Sequence, residues 1–165
     1  MQKKSFNLKI NNKISPFQKS IKVDSDKSMS IRSFLIGSLS NNISIAKNIL
    51  ESEDVFSTIE CLRKLGVKIK RVKSGYYKIF GKGLGSLAAK KNKSLNFGNS
   101  GTLARLLIGI MSTTPNLEVN LKGDKSLSKR SMKKLILLMN KFGSTFLPKK
   151  KFNLPFKIIS TNLPI

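Results

Sequence analysis

Histidine and tryptophan are absent from this 165-residue chain, and Cys61 is its single cysteine. Without histidine there is no usual general base and no Ser–His or Cys–His nucleophile pair, and a zinc site is disfavoured. One cysteine excludes a framework of intrachain disulfides. The chain has no run of roughly 18 or more apolar residues, so no membrane-spanning helix is predicted. The basic start, Met1–Asn12, has no apolar stretch behind it, and we do not expect a secretory signal there.

Acidic residues are also scarce: eight Asp and Glu face 32 Lys and Arg, for a net charge of +24. Five of the 32 basic residues are arginine, which leaves 27 lysines. The longest uninterrupted basic run is Lys149–Lys151, and basic and aromatic residues do not alternate along the chain. We interpret most of this charge as a solvated lysine surface that attracts small anions. A surface that binds nucleic acid or another polyanion is the alternative.

The pattern of apolar residues predicts one α/β chain with no linker dividing it. With 39% apolar residues, the chain can bury a core. Short segments in which apolar residues recur every second position alternate with longer segments in which they recur about every 3.6 positions. This pattern favours an α/β architecture with a βαβ-like component. The predicted strands are Ser5–Ile10, Ile21–Val23, Ile43–Ile45, Val67–Val72, Tyr76–Phe80, Leu95–Phe97, Leu117–Leu121, Ser144–Leu147 and Phe156–Ile159. The predicted helices are Ser28–Leu39, Ser52–Leu65, Thr102–Met111 and Ser128–Phe142.

Two eight-residue segments form an internal repeat. Asp26–Ser33 and Asp124–Ser131 are identical at six of eight positions, and one of the two differences exchanges Met for Leu. Each copy follows a predicted strand and opens a predicted helix. The sequence therefore predicts a tandem of related α/β units.

Three predicted helices begin with a small residue and carry an arginine one turn later. The pairs are Ser28 with Arg32, Gly101 with Arg105, and Ser126 with Arg130, and a spacing of four places each pair on one helix face. Free N–H groups at a helix start favour a phosphate or carboxylate, and a guanidinium fits two of its oxygens. Lys27, Gly98 and Gly101 strengthen this prediction of an anion site. Ordinary helix caps with solvated arginines are the alternative.

Other candidates have simpler interpretations. Cys61 lies on the apolar side of its helix and is expected in the core. Glu51, Glu53 and Asp54 could serve as acid or base groups, although a role at the helix start is favoured. The segment Gly81–Gly85 is similar to a phosphate loop in composition, but no Lys-Ser/Thr follows, and a turn is predicted.

Several short motifs follow one another along the chain. They are Lys27-Ser28-x-x-x-Arg32, Glu53-Asp54-Val55, Thr58, Leu62, Leu65-Gly66, Gly98-Asn99-Ser100-Gly101-Thr102-x-x-Arg105, Gly123-Asp124 and Lys129-Arg130. Taken together, these motifs resemble 5-enolpyruvylshikimate-3-phosphate (EPSP) synthases in both order and spacing. The related UDP-N-acetylglucosamine enolpyruvyl transferases share the fold and are the alternative within it, but they carry Lys-Asn in place of Lys27-Ser28.

The resemblance implies transfer of the enolpyruvyl group of phosphoenolpyruvate to the 5-hydroxyl of shikimate 3-phosphate, with release of phosphate, in the shikimate pathway of aromatic amino acid and chorismate biosynthesis. It implies no metal and no organic cofactor. Lys27 would be the catalytic residue, lying between the two substrates. The implied ligands of shikimate 3-phosphate are Lys27, Ser28 and Arg32. Those of phosphoenolpyruvate are Lys27, Asn99, Gly101 and Arg130, with Thr102 and Arg105 in support.

The resemblance also implies an incomplete architecture: an α/β (α+β) fold of tandem βαβαββ-type units, belonging to an inside-out α/β barrel. Residues 1–20 would supply one or more strands of a second, missing domain, and residues 21–165 the first two units of the amino-terminal domain. We therefore expect an amino-terminal part of the enzyme that is inactive alone. The expected enzyme is cytoplasmic and monomeric, binds small-molecule substrates, and has no metal or membrane partner; nucleic acid is not the favoured partner.

Overall fold

A computed structural model describes residues 7–9, 11, 13, 15–16, 18, 20, 23–90 and 93–162. The first unit of the fold places two helices against a three-stranded antiparallel sheet with strand order β1-β3-β2. Its elements are α1 (Lys27–Ser38), β1 (Ile43–Ala46), α2 (Glu53–Lys64), β2 (Lys68–Lys73) and β3 (Tyr76–Phe80).

The second unit contains a four-stranded mixed sheet with strand order β4-β5-β7-β6. Strands β4 and β5 are parallel, while β7 runs antiparallel to both β5 and β6. Its elements are β4 (Ser94–Asn96), α3 (Gly101–Ser112), β5 (Glu118–Lys122), a 3₁₀ turn (Leu127–Lys129), α4 (Lys133–Lys141), β6 (Thr145–Leu147) and β7 (Phe156–Ile159).

The sheet topology confirms the tandem repeat. Strands β1, β3 and β2 occupy the same order as β5, β7 and β6. The second unit is a complete βαβαββ unit, and the described part of the first shows the same succession from its first helix onward. The predicted strand Ile21–Val23 would precede that helix, but Ile21 and Lys22 lie outside the described residues, as does much of the predicted strand Ser5–Ile10.

Buried apolar side chains join the two units in one core cluster. The helix α2 begins after Ser52 and ends before Gly66, and the four residues that its apolar periodicity places inward, Val55, Ile59, Leu62 and Leu65, are at most 4% exposed. Gly66 has a φ of +87°, a conformation that glycine adopts without steric cost at a helix end. The predicted strands Val67–Val72 and Tyr76–Phe80 form the hairpin β2–β3, which turns at Ser74-Gly75.

For α1, the apolar periodicity predicts an inward face made of Ile31, Leu35, Ile36 and Leu39, and the structure differs from that prediction at Ile36. Ile31 and Leu35 are buried, but Ile36 is 70% exposed and Phe34 is buried instead. The helix turns Gly37 toward the sheet, where an added Cβ would lie 3.0 Å from Cδ1 of Ile79. A contact face built on glycine is invisible to a search for apolar periodicity.

The predicted continuous helix Ser128–Phe142 is wrong. A 3₁₀ turn ends at Lys129, Arg130 is extended (φ −83°, ψ 124°), and α4 starts only at Lys133. The backbone N–H of Met132 donates to Phe152 O at 2.7 Å, and the Met132 side chain is buried. This bond from outside the helix replaces the bond to residue 128 that a continuous helix would need.

Among the residues that the structure describes, no helix has both the length and the apolar character needed to cross a membrane.

Candidate functional site

The two copies of the repeat have the same local geometry. The Asp26 carboxylate accepts a hydrogen bond from Met29 N at 2.6 Å, and the Asp124 carboxylate accepts one from Leu127 N at 2.6 Å. Each aspartate therefore caps its own turn. Only the first copy opens an α-helix, however, because the second opens the 3₁₀ turn. The prediction that three helices begin alike holds for α1 and α3 and fails at Ser126–Arg130.

Lys27, at the start of α1, is held by an acid of the neighbouring helix. Its Nζ lies 2.8 Å from Oδ2 of Asp54, in the first turn of α2. The side chain of Asp54 is 17% exposed and that of Lys27 is 50% exposed. Asp54 thus stands at the positive end of a helix, as the sequence predicts, and also positions the candidate catalytic lysine.

The loop before α3 approaches the same helix α2. Gly98 has a φ of +54° and donates its N–H to Oδ1 of Asn96 at 3.1 Å. An added Cβ at Gly98 would lie 3.0 Å from Oγ of Ser57. Because Ser57 follows Asp54 by three residues, both side chains lie on one face of α2. The helix therefore places Lys27 and the Gly98 loop on the same side of the molecule.

Two guanidinium groups meet at Gly101. A Cβ at this residue would lie 2.8 Å from Nη1 of Arg105 and 3.2 Å from Nη1 of Arg130. Arg105 donates to the Gly101 carbonyl at 3.3 Å, and Arg130 donates to Oδ1 of Asn99 at 2.9 Å. Ser126 Oγ is a weaker acceptor for Arg130, at 3.5 Å. Two positive groups side by side at a helix start form a favourable position for an anion.

The remaining predicted residues lie apart from this group. Arg32 is exposed, and its Nη1 lies 3.8 Å from the Met29 sulfur. Ser28 is half-buried in the first turn of α1, and Thr102 is half-buried in the first turn of α3. In the described part of the chain, none of the three side chains makes a polar contact with Lys27, Asn99 or Arg130. The structure thus brings together Asn99, Gly101, Arg105 and Arg130, with Lys27 linked to them through α2.

Several candidates have purely structural partners. Burial raises the pKa of the Cys61 thiol to about 12, and its Sγ–H donates to Asn96 O at 3.4 Å, so Cys61 is a core residue as predicted. The segment Gly81–Gly85 turns back on the end of α1, with Lys82 N donating to Ser38 O at 2.9 Å and Gly83 N to Ser40 O at 2.9 Å. The predicted turn is confirmed.

Glu51 is neither a helix-start residue nor a free acid. It precedes the N-cap Ser52, and its carboxylate accepts hydrogen bonds from Arg71, Tyr77 Oη and Gly75 N. The Arg71 guanidinium, followed by Tyr77 and Gly75 N–H, holds the pKa of Glu51 far below its usual range. Among the described residues, no group of three or more Cys, Asp or Glu could hold a metal ion.

Sequence reasoning missed Asp54 as the partner of Lys27, and it missed Ser57. Their partners are distant in sequence, so no local pattern indicates these contacts. A composition signal does exist, because α2 carries three of the chain's eight acidic residues: Glu53, Asp54 and Glu60.

The Lys27–Asp54 pair predicts a difference between two equivalent lysines. Lys125 occupies the same place in the second repeat, and no ion pair of Lys125 is found among the described residues. We expect acetic anhydride to modify Lys27 more slowly than Lys125, because Asp54 holds the Lys27 amine. In Asp54→Asn, mass spectrometry should find the Lys27 rate near that of Lys125. The free energy of unfolding of Asp54→Asn should differ from that of the unmodified chain by less than about 1 kcal/mol, as for other exposed ion pairs. Equal rates for both lysines in the unmodified chain would contradict the pairing.

Comparison with known proteins yields a consistent set of matches. The family model for EPSP synthase (3-phosphoshikimate 1-carboxyvinyltransferase) matches residues 11–164. The chain is 36% identical over 154 residues to the 3-phosphoshikimate 1-carboxyvinyltransferase of Syntrophomonas wolfei, covering 93% of this chain and 35% of that protein. It is 36% identical over 149 residues to the enzyme of the same name from Paramagnetospirillum magneticum, covering 90% and 33%.

Solved structures give the same result. The chain is similar to EPSP synthase from Acinetobacter baumannii, with a TM-score of 0.77 and 33% identity over 85% of this chain and 31% of that one. A second structure of EPSP synthase from that organism has the same TM-score and identity, covering 86% and 32%. The chain spans about a third of the length of the curated relatives it matches.

Proposed function

The chain belongs to the EPSP synthase family, and on that premise we propose that it forms part of an enzyme that moves the enolpyruvyl group of phosphoenolpyruvate to the 5-hydroxyl of shikimate 3-phosphate and releases phosphate. The observation that carries the proposal is the convergence of Arg105 and Arg130 on Gly101 beside Asn99. Because the chain covers 35% of the length of a curated relative, we expect it alone to bind substrates weakly and to give no turnover.

We assign phosphoenolpyruvate to Asn99, Gly101 and Arg130. The Arg130 guanidinium is oriented by its bond to Asn99, and the absence of a Cβ at Gly101 lets both guanidinium groups approach the loop. The Ser100 hydroxyl caps the N–H of Leu103, while the earlier N–H groups of α3, including that of Thr102, have no carbonyl partner inside the helix. Such groups favour a phosphate or carboxylate. Arg105, bonded to the Gly101 carbonyl, adds positive charge and supports the loop.

We assign shikimate 3-phosphate to the start of α1. Ser28 and Arg32 are four residues apart and share a helix face, and Lys27, next to Ser28, is paired with Asp54 of α2, the helix that the Gly98 loop approaches. Lys27 would then contact both substrates and be the catalytic residue. The chemistry asked of these residues is to position two anions against their mutual repulsion and to stabilise the charge of the tetrahedral adduct.

The family resemblance alone supports the remaining parts of the proposal. They are a cytoplasmic location, a monomeric enzyme, small-molecule substrates, and no metal or organic cofactor in the reaction.

Isothermal titration with each substrate separately tests the assignment. In Arg130→Gln, we expect the Kd for phosphoenolpyruvate to rise about tenfold or more, because a charge-assisted bond is lost, while the Kd for shikimate 3-phosphate changes little. In Arg32→Ala, the Kd for shikimate 3-phosphate should rise about tenfold or more, while the Kd for phosphoenolpyruvate changes little. The control is Lys129→Gln, which removes one positive charge beside Arg130. Affinities unchanged in both arginine variants, or lowered equally by the control, would refute the assignment.

A further inference from the structure

The outer face of the first sheet, which points away from the helices, carries a regular array of lysines and aromatic rings. Cross-strand partners in an antiparallel sheet share a face. The first row across the three strands is Ile43, Phe80 and Lys68. The Nζ of Lys68 lies 5.0 Å from the centroid of the Phe80 ring.

The second row is Ile45, Lys78 and Lys70. Lys70 and Lys78 are direct cross-strand partners, and all three side chains of the row are exposed. Like charges directly opposite each other destabilise a sheet, and a bound anion would remove that repulsion.

The third row ends the array at a groove. Lys73 of β2 pairs with Tyr76 of β3. Lys47 directly follows β1, where side chains alternate between the two faces, and it comes two residues after the outward Ile45. Its Nζ lies 5.8 Å from the Tyr76 ring centroid. Lys47, Lys73 and Tyr76 line a groove of about 530 Å³. None of the positions in the three rows is acidic. The three rows of the array therefore contain five lysines and two aromatic rings.

The second sheet supplies an internal comparison, because it repeats the same scaffold. The positions matching Ile43 and Phe80 are Glu118 and Ile159, which are paired in the same way. The position matching Lys68 is Thr145. Lys157, which matches Lys78, forms an ion pair with Glu118. A general excess of lysine would affect both sheets alike, whereas only the first carries the array.

We propose that this outer face of the first sheet binds single-stranded nucleic acid, with its lysines on the phosphates and with Tyr76 and Phe80 stacking on bases. Rows two residues apart along a strand are spaced by roughly 7 Å, so successive lysines can follow an extended backbone. Exposed lysine–ring contacts are weak, so a phosphate can draw each ammonium away and open the ring to a base. The pattern lies across strands, which is why it is absent along the sequence.

Fluorescence anisotropy with a labelled single-stranded oligodeoxythymidine of about 12 nucleotides tests the proposal, since sites of this kind span about 4–16 nucleotides. The triple variant Lys68→Gln/Lys70→Gln/Lys78→Gln should bind about tenfold more weakly in about 0.15 M salt. Its plot of log K against log salt should be less steep by about 2, since each of the three lost phosphate contacts on a single strand contributes about 0.7 to the slope. The control, Lys134→Gln/Lys141→Gln/Lys149→Gln, loses the same charge from other exposed positions and should bind nearly as the unmodified chain does.

A second variant separates stacking from charge. Tyr76→Leu/Phe80→Leu should weaken binding about tenfold and leave the salt slope unchanged. Thermal melts of each variant check folding, and the triple variant should melt no lower than the unmodified chain because the Lys70–Lys78 repulsion is relieved. Equal losses in the two triple variants, or a duplex of the same length bound as tightly, would overturn the proposal. Phosphoenolpyruvate and shikimate 3-phosphate should not displace the oligonucleotide, so failure here is distinguishable from failure of the proposed function.

Discussion

Replacing Gly81 with alanine is expected to lower the free energy of unfolding by about 2–3 kcal/mol, the upper part of the range for inserting a methyl group into a packed site. The added Cβ would lie 2.1 Å from the backbone oxygen of Ser40 and 2.8 Å from that of Gly37. Both are backbone atoms at the end of α1, so neither can rotate away. Thermal unfolding should report a midpoint lower by roughly 5–10 °C.

Gly109 provides the matched control within the same chain. It lies inside α3, and a Cβ added there would meet nothing within 4 Å. Gly109→Ala should therefore raise the free energy of unfolding by about 0.5–1 kcal/mol, the usual difference between the two residues in a helix. Gly81→Ala unfolding at the midpoint of the unmodified chain would contradict the packing of Gly81 against α1.

Local sequence signals predict the elements that have local causes. The helix α2 has its start at Ser52-Glu53-Asp54, its apolar period and its closing Gly66 all in the sequence, and it forms as predicted. The hairpin β2–β3 is equally local. The break before α4 is not, because it depends on a hydrogen bond from Met132 N to Phe152 O, twenty residues away along the chain. Apolar periodicity contains no information about that bond.

The candidate site divides in the same way. The repeat makes Lys27 and Arg130 candidates from sequence, and the Gly98–Gly101 loop does so because helix starts that bind anions use few residue types. The ion pair from Lys27 to Asp54 and the approach of Ser57 to Gly98 depend on how α2 packs, and only the fold reveals them. The lysine–aromatic array of the first sheet is even less visible in the sequence, since its members come from three separate strands.

Loss of the Glu51 carboxylate should lower the stability of the chain, because four donors converge on it. Arg71 donates to both carboxylate oxygens at 2.7 Å, Tyr77 Oη donates at 2.6 Å and Gly75 N at 3.1 Å. This carboxylate therefore ties the segment before α2 to the hairpin β2–β3, and an amide in its place loses the charge and sets an NH2 donor against the Arg71 guanidinium. In Glu51→Gln, urea unfolding at neutral pH should give a clearly lower midpoint. Glu60→Gln, which changes the same charge at an exposed position that contacts Arg63 at 3.8 Å, should not lower the midpoint.

The pH dependence separates the charge of Glu51 from its size. Its pKa is far below the usual range when folded, whereas an unfolded glutamate titrates near about 4.3. The stabilisation is therefore complete above about pH 5 and is lost as the pH falls, because the unfolded chain then binds a proton that the folded chain does not. Between about pH 5 and pH 3, the unfolding midpoint of the unmodified chain should fall more steeply than that of Glu51→Gln. The other carboxylates and the growing positive charge act on both proteins, so parallel profiles would mean that Glu51 is not held by Arg71 and Tyr77 in solution.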